Sequence, residues 1–62
     1  MKTTFAQQAA AAARKGDYDN AAALYNRAAN EADYNHEFAK GQRHRSKANR
    51  FEDMANRARL EA

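Results

Sequence analysis

The stretch ARKGDYDNAAALYNRAANEA, residues 13–32, decides the fold. From Tyr18 onward, alanine or tyrosine recurs at the i, i+3, i+4, i+7, i+10, i+11 and i+14 positions, which form one face of a helix of about four turns. The stripe consists of Tyr18, Ala21, Ala22, Tyr25, Ala28, Ala29 and Ala32. It predicts a second helix over residues 18–33 whose small side chains let another helix approach closely.

The residues before this stripe predict a tight corner and an earlier helix. Gly16 can adopt the left-handed backbone conformation that ends a helix, and Asp17 is a favourable N-cap for the next one. Thr4 and Gln7 have the spacing of a capping box, which predicts a first helix over residues 5–15. Its apolar stripe is Phe5, Ala9, Ala12 and Ala13. We therefore expect an antiparallel helical hairpin.

A third helix is predicted over residues 36–59, with Asp33 or Asn35 as its cap. Gly41 costs about 1 kcal/mol relative to alanine inside a helix, so it indicates a kink or a close helix crossing. The apolar seam has a heptad-like spacing. It consists of Phe38, Gly41, Ala48, Phe51, Ala55 and Ala58, with Met54 beside it.

The composition supports a single all-α domain over residues 1–62, with an N-terminal hairpin and a longer basic third helix. There is no proline, and 17 of the 62 residues are alanine. Alanine buries little apolar area, whereas ordering the backbone costs about 1 to 2 kcal/mol per residue. We therefore expect the chain to be a homodimer.

Charge is distributed unevenly along the chain. The net charge is +3, and residues 40–62 hold seven Lys or Arg against three Asp or Glu, a net of +4.

There is no cysteine, and neither a signal-peptide-like start nor an apolar run of transmembrane length is present. These features predict a cytoplasmic protein without membrane association.

No residue pattern predicts catalysis, a cofactor or a metal site. Three short helices with an alanine core leave little volume for an active-site pocket, so we expect no enzymatic activity. His36, Glu37 and His44 could share one helix face, but no further ligand stands at a recognised spacing. Two solvated histidines are the simpler interpretation.

The segment KGQRHRSKANR, residues 40–50, is the basic part of the third helix. It has three possible interpretations: a solvated face, a surface for an acidic protein, or a weak, sequence-independent nucleic-acid site extending over residues 40–59. Asp17, Asp19, Glu31 and Asp33 could also pair with it. Because aromatic residues and arginine are enriched at interface hot spots, the predicted partner-binding residues are Leu24, Tyr25, Phe38, Arg43 and Arg45. The predicted structural residues are Gly16, Asp17, Tyr18, Ala21, Ala22, Ala28 and Phe51.

The alanines before KGDY, followed by AAALYNRAANEA and NHEF, resemble the AraC-negative-regulator family, small helical proteins of enteric bacteria and their phages. The matching positions are Gly16, Tyr18, Ala21, Ala22, Tyr25, Ala28, Ala32, Asn35, Phe38 and Arg43. Tyr25 and Phe38 stand where that family usually has tryptophan, and Ser46 stands near a position where it often has cysteine. The Gly-Asp-Tyr and the paired alanines are also similar to a tetratricopeptide-type helical hairpin.

The resemblance implies a non-enzymatic regulator that binds a transcription activator of the AraC type, or another DNA-associated regulator, and inhibits it. One alternative is a phage or mobile-element inhibitor of a different host or defence protein. The other is the weak nucleic-acid binder described above. In the first two cases the partner is a protein.

Overall fold

The computed structural model describes residues 3–61, which form three helices. They are α1 (Phe5–Arg14), α2 (Tyr18–Tyr34) and α3 (Phe38–Glu61). No strand occurs in this part of the chain, which confirms the all-α prediction. The central helix α2 packs against both α1 and α3, and the Cα trace measures 39 × 25 × 11 Å. The domain is therefore a thin layer of helices, so most side chains lie near one surface or the other.

The start of α1 is the predicted capping box. The Thr4 hydroxyl accepts from the Gln7 amide at 3.1 Å, and the Gln7 side chain accepts from the Thr4 amide at 2.9 Å. These two bonds satisfy amides that have no partner within the first turn. The helix begins at Phe5 as the sequence predicts and ends at Arg14, one residue before the expected end.

The corner between α1 and α2 is a Schellman turn. Gly16 has a φ of +78°, as predicted, and its amide donates to the Ala13 carbonyl at 3.0 Å. The Asp17 amide donates to the Ala12 carbonyl at 2.9 Å. This pair of bonds defines the motif and satisfies carbonyls at the end of α1. The Asp17 side chain then accepts from the Asn20 amide at 3.5 Å and caps α2.

The corner between α2 and α3 repeats this geometry with different residues. His36 has a φ of +61° and donates to the Asp33 carbonyl at 3.0 Å, and the Glu37 amide donates to the Ala32 carbonyl at 2.7 Å. The expectation that Asp33 or Asn35 caps α3 is therefore wrong. The Schellman turn uses Asn35 to Glu37, so α3 begins at Phe38, two residues later than predicted.

The core consists of alanines around one large side chain. Tyr25 is 6 % exposed, and it packs with Ala9 and Ala48, both of which are fully buried. The stripe predicted on α2 is confirmed, since all of it is buried except Tyr18, which is half-buried. The buried hydrophobic residues are Ala9, Ala21, Ala22, Tyr25, Ala28, Ala29, Ala32, Ala48 and Ala55.

The α3 seam is shorter than predicted. Gly41, Ala48 and Ala55 are buried, whereas Phe38 is 59 % exposed and Ala58 is also exposed. Phe38 is the first residue of α3, and its ring packs edge-on against His36 at 5.9 Å instead of entering the core. Gly41 marks a close crossing, because a Cβ there would meet the Asp33 carboxylate and lie 3.4 Å from the Ala29 carbonyl oxygen.

Candidate protein-binding surface on α3

Two rows of residues with seven-residue spacing lie on opposite sides of α3. The inner row, Gly41, Ala48 and Ala55, is buried. The outer row is Arg43, Arg50 and Arg57, and all three are exposed. An α-helix turns by about 100° per residue, so the two rows, two residues apart, point about 160° away from each other. Burial of the small residues against α2 therefore directs the arginine row to solvent.

A shallow groove of about 450 Å³ runs along the same outer side of α3. Ala39 and Ser46 are two of its small residues, seven positions apart, with Arg43 and Arg50 beside them at the same interval. Its complete lining is Ala39, Gln42, Arg43, Ser46, Lys47 and Arg50. We call this groove with the adjoining Asp53 and Arg57 the α3 trough. Small side chains alternating with cations allow another chain to lie close to α3 while facing positive charge.

The cations of α3 divide into paired and unpaired groups. Arg45 pairs with Asp33, and the Arg59 guanidinium lies 2.5 Å from the Asp19 carboxylate, so two ion pairs join α3 to α2. Both acidic partners were among those expected to pair with the basic helix. Within residues 3–61, the three arginines of the outer row form no ion pair. The chain thus uses the cations beside α2 internally and leaves the outer row facing solvent.

Tyr25 lies in a stack of rings between α2 and α3. Its ring is 5.6 Å from Phe51 at an interplanar angle of 3°, and 6.2 Å from His44 at 23°. Tyr18 extends the stack on the other side of Phe51, at 5.9 Å. Lys47, at the edge of the α3 trough, places its Nζ 5.5 Å from the Tyr25 centroid, within cation–π range. Tyr25 therefore stabilises the α2–α3 contact and does not project from the surface.

The structure does not bring the five predicted partner-binding residues together. Leu24 is half-buried against the Tyr25 cluster and is not the exposed edge residue that the stripe suggested. Arg43 and Arg45, two positions apart, point about 160° away from each other. Phe38 is exposed at the α2–α3 corner. Only Arg43 lines the α3 trough.

Sequence reasoning missed Lys47, Arg50 and Arg57 as neighbours of Arg43. The heptad interval of Arg43, Arg50 and Arg57 is visible in the sequence, but seven α3 cations surround most of the helix. Only knowledge of which side α3 buries could have separated the outer row from the others. That knowledge comes from the small residues Gly41, Ala48 and Ala55, which define the inner side.

A second groove lies where the start of α1, the end of α2 and the start of α3 meet. Ala28 and Ala32 contribute to it from α2, Phe5 from α1, and Lys40 and His44 from α3. Its volume is about 300 Å³. In the part of the chain that the structure describes, His44 Nδ1 is buried without a hydrogen-bond partner. Residues 3–61 contain no cluster of three or more His, Asp or Glu side chains that could hold a metal ion.

None of the helices in residues 3–61 is long and apolar enough to cross a membrane. Comparisons of the chain with protein families, with curated proteins and with solved structures found no match.

Proposed function

We propose that this chain is a non-enzymatic regulator that acts in the cytoplasm and binds a transcription activator of the AraC type, or another DNA-associated regulator, and inhibits it. The observation that supports this proposal is the α3 trough, where Arg43, Lys47 and Arg50 line one continuous exposed groove. Arginine is enriched at binding hot spots, and a positive surface speeds encounter with an acidic partner. The motif likeness at Gly16, Tyr18 and the paired alanines Ala21 and Ala22 supports the choice of activator.

We further propose that the chain works as a homodimer. Tyr25 is the only large hydrophobic side chain among those buried in residues 3–61, and the remaining buried hydrophobic side chains are alanines. Exposed Tyr34 and Leu60, both at 86 %, offer apolar surface to a second chain. Sedimentation equilibrium at micromolar concentration should give twice the mass of one chain. A compact, stable monomer under these conditions would contradict the dimer.

The inhibitory function is tested with a purified AraC-type activator and its operator DNA. Adding the chain should release the activator from the operator in a fluorescence anisotropy titration, and sedimentation should show a complex of the two proteins. A double Arg43→Gln and Arg50→Gln variant should inhibit about tenfold less well, equivalent to about 1.4 kcal/mol of binding free energy.

A charge-matched control separates the α3 trough from total charge. The double Lys15→Gln and Arg27→Gln variant removes the same charge from exposed positions outside α3 and should inhibit like the parent. Far-UV circular dichroism should show equal helicity for all variants, since every changed side chain is exposed. Unchanged operator binding with no complex of the two proteins would refute the proposed target. Direct binding of the chain to the operator would favour the nucleic-acid alternative.

A further inference from the structure

The α3 trough carries one negative charge among its positive ones. Arg43, Lys47 and Arg50 are followed by Asp53 and then by Arg57, all exposed. Asp53 lies three residues after Arg50 and four before Arg57, so it shares their helix face. A nucleic-acid backbone carries negative charge at every phosphate and would be repelled at this position. A protein segment can match the pattern by placing a basic residue opposite Asp53.

The spacing of the trough also fits a second helix. At a rise of about 1.5 Å per residue, the interval between Arg43 and Arg50 spans about 10.5 Å, and any other helix has the same distance between its residues i and i+7. Two helices that cross at a shallow angle of about 20° remain side by side over several turns. Matched charges then stay opposite each other along the contact.

Small residues in the trough permit the close approach that such a contact needs. Ala39 and Ser46 lie between the cations on the outer side of α3. Helix axes pack about 8 to 10 Å apart, with the shorter distances reached where the facing side chains are small. Lys47 is directed partly toward Tyr25, which leaves the space over Ser46 bordered by Arg43 and Arg50.

We infer that the α3 trough binds an acidic helix of the partner protein, which places carboxylates seven residues apart opposite Arg43 and Arg50 and a basic residue opposite Asp53. This inference rests on the proposed function, because it specifies which part of the regulated protein is recognised. It requires no apolar pocket, since the pairing of charges sets the register of the two helices and the small residues allow their contact.

The test uses two synthetic peptides of three heptads with identical composition. The matched peptide carries two glutamates seven residues apart and a lysine three residues outside this pair, so that the lysine faces Asp53 when the glutamates face Arg43 and Arg50. The scrambled peptide distributes these residues around the helix. Surface ion pairs are worth about 0.2 to 1 kcal/mol each, so two or three pairs should make the matched peptide bind about tenfold more tightly in fluorescence anisotropy. Arg43→Gln with Arg50→Gln should remove most of this preference and leave only the contribution of the pair at Asp53, and Lys15→Gln with Arg27→Gln should retain the full preference.

Asp53→Arg provides the test of the pattern itself. It should weaken binding of the matched peptide, because the peptide lysine then faces a cation, and strengthen binding of a duplex DNA probe, because the repelling carboxylate is gone. Equal binding of the matched and scrambled peptides would refute the inference. So would tighter binding of the parent protein to duplex DNA than to the matched peptide at about 150 mM salt, where exposed charges are screened beyond about 8 Å.

The outcome is distinguishable from failure of the proposed function. If the chain releases the activator from its operator but does not discriminate between the peptides, regulation stands and the acidic-helix inference is wrong. If it discriminates between the peptides but leaves the activator on its operator, the trough has the inferred specificity and the proposed target is wrong.

Discussion

The two helix corners should respond identically to an exchange of glycine and alanine, although their sequences differ. Gly16 and His36 both occupy the left-handed position of a Schellman turn, with φ values of +78° and +61°. A residue with a Cβ in this conformation is disfavoured by about 1 to 2 kcal/mol. Glycine in turn lowers the free energy of unfolding by about 0.4 to 1 kcal/mol relative to alanine, because it has greater conformational freedom in the unfolded chain. The balance favours glycine by about 0.5 to 1 kcal/mol.

His36→Gly should therefore be more stable than His36→Ala by about 0.5 to 1 kcal/mol, which is a difference in Tm of about 2 to 8 °C for a domain of this size. Both variants lose the 5.9 Å contact between the His36 and Phe38 rings, so that loss cancels in the comparison. Gly16→Ala should destabilise the parent by the same amount. At Gly16 a Cβ would meet no other atom within 4 Å, so the effect there comes from the backbone alone.

The assay is thermal and urea denaturation of the three variants and the parent, followed by far-UV circular dichroism at one protein concentration. A fixed concentration matters because association shifts the apparent Tm. If His36→Ala equals or exceeds His36→Gly in stability, the left-handed conformation of His36 is not a source of strain. If only the Gly16 comparison shows the difference, the two corners are not equivalent.

Three further substitutions test the first corner and the packing of α3 on α2. Gly16→Val should destabilise the domain by more than about 1 kcal/mol in urea unfolding, because a β-branched residue is poorly tolerated at positive φ, and a neutral result would contradict the corner geometry. Gly41→Ala should give little or no stabilisation, because the added Cβ meets the Asp33 carboxylate. In an Asp33→Ala background the same change should stabilise the domain by up to about 1 kcal/mol, the difference in helix propensity between alanine and glycine. If the two substitutions are additive in this double-mutant cycle, the contact between position 41 and Asp33 is refuted. Ala48→Leu should lower the Tm, since overpacking a fully buried alanine beside Tyr25 costs about 1 to 3 kcal/mol, and an unchanged Tm would show that the contact with α2 can open.

The sequence by itself determined the local features of this protein. The capping box of Thr4 and Gln7, the left-handed Gly16 and the start of α2 at Tyr18 are all present in the structure. Each depends on hydrogen bonds or backbone preferences within a few residues, so neighbouring sequence is sufficient. The stripe on α2 was equally readable, because α2 packs on both α1 and α3 and its buried side is consistently apolar.

Only the tertiary structure decided which side of α3 is buried and what the other side presents. Polar and charged residues occur around most of this helix, so periodicity placed Phe38 and Ala58 in a seam from which they are absent. The sequence prediction also grouped Arg43 with Arg45, although Arg45 pairs with Asp33 of α2 and Arg43 lines the α3 trough. The left-handed conformation of His36 could not be predicted for a related reason, because histidine is not a strong turn-forming residue. His36 adopts this conformation because the packing of α3 against α2 requires a Schellman turn at this corner, whereas at the first corner the glycine Gly16 favours the same turn by itself.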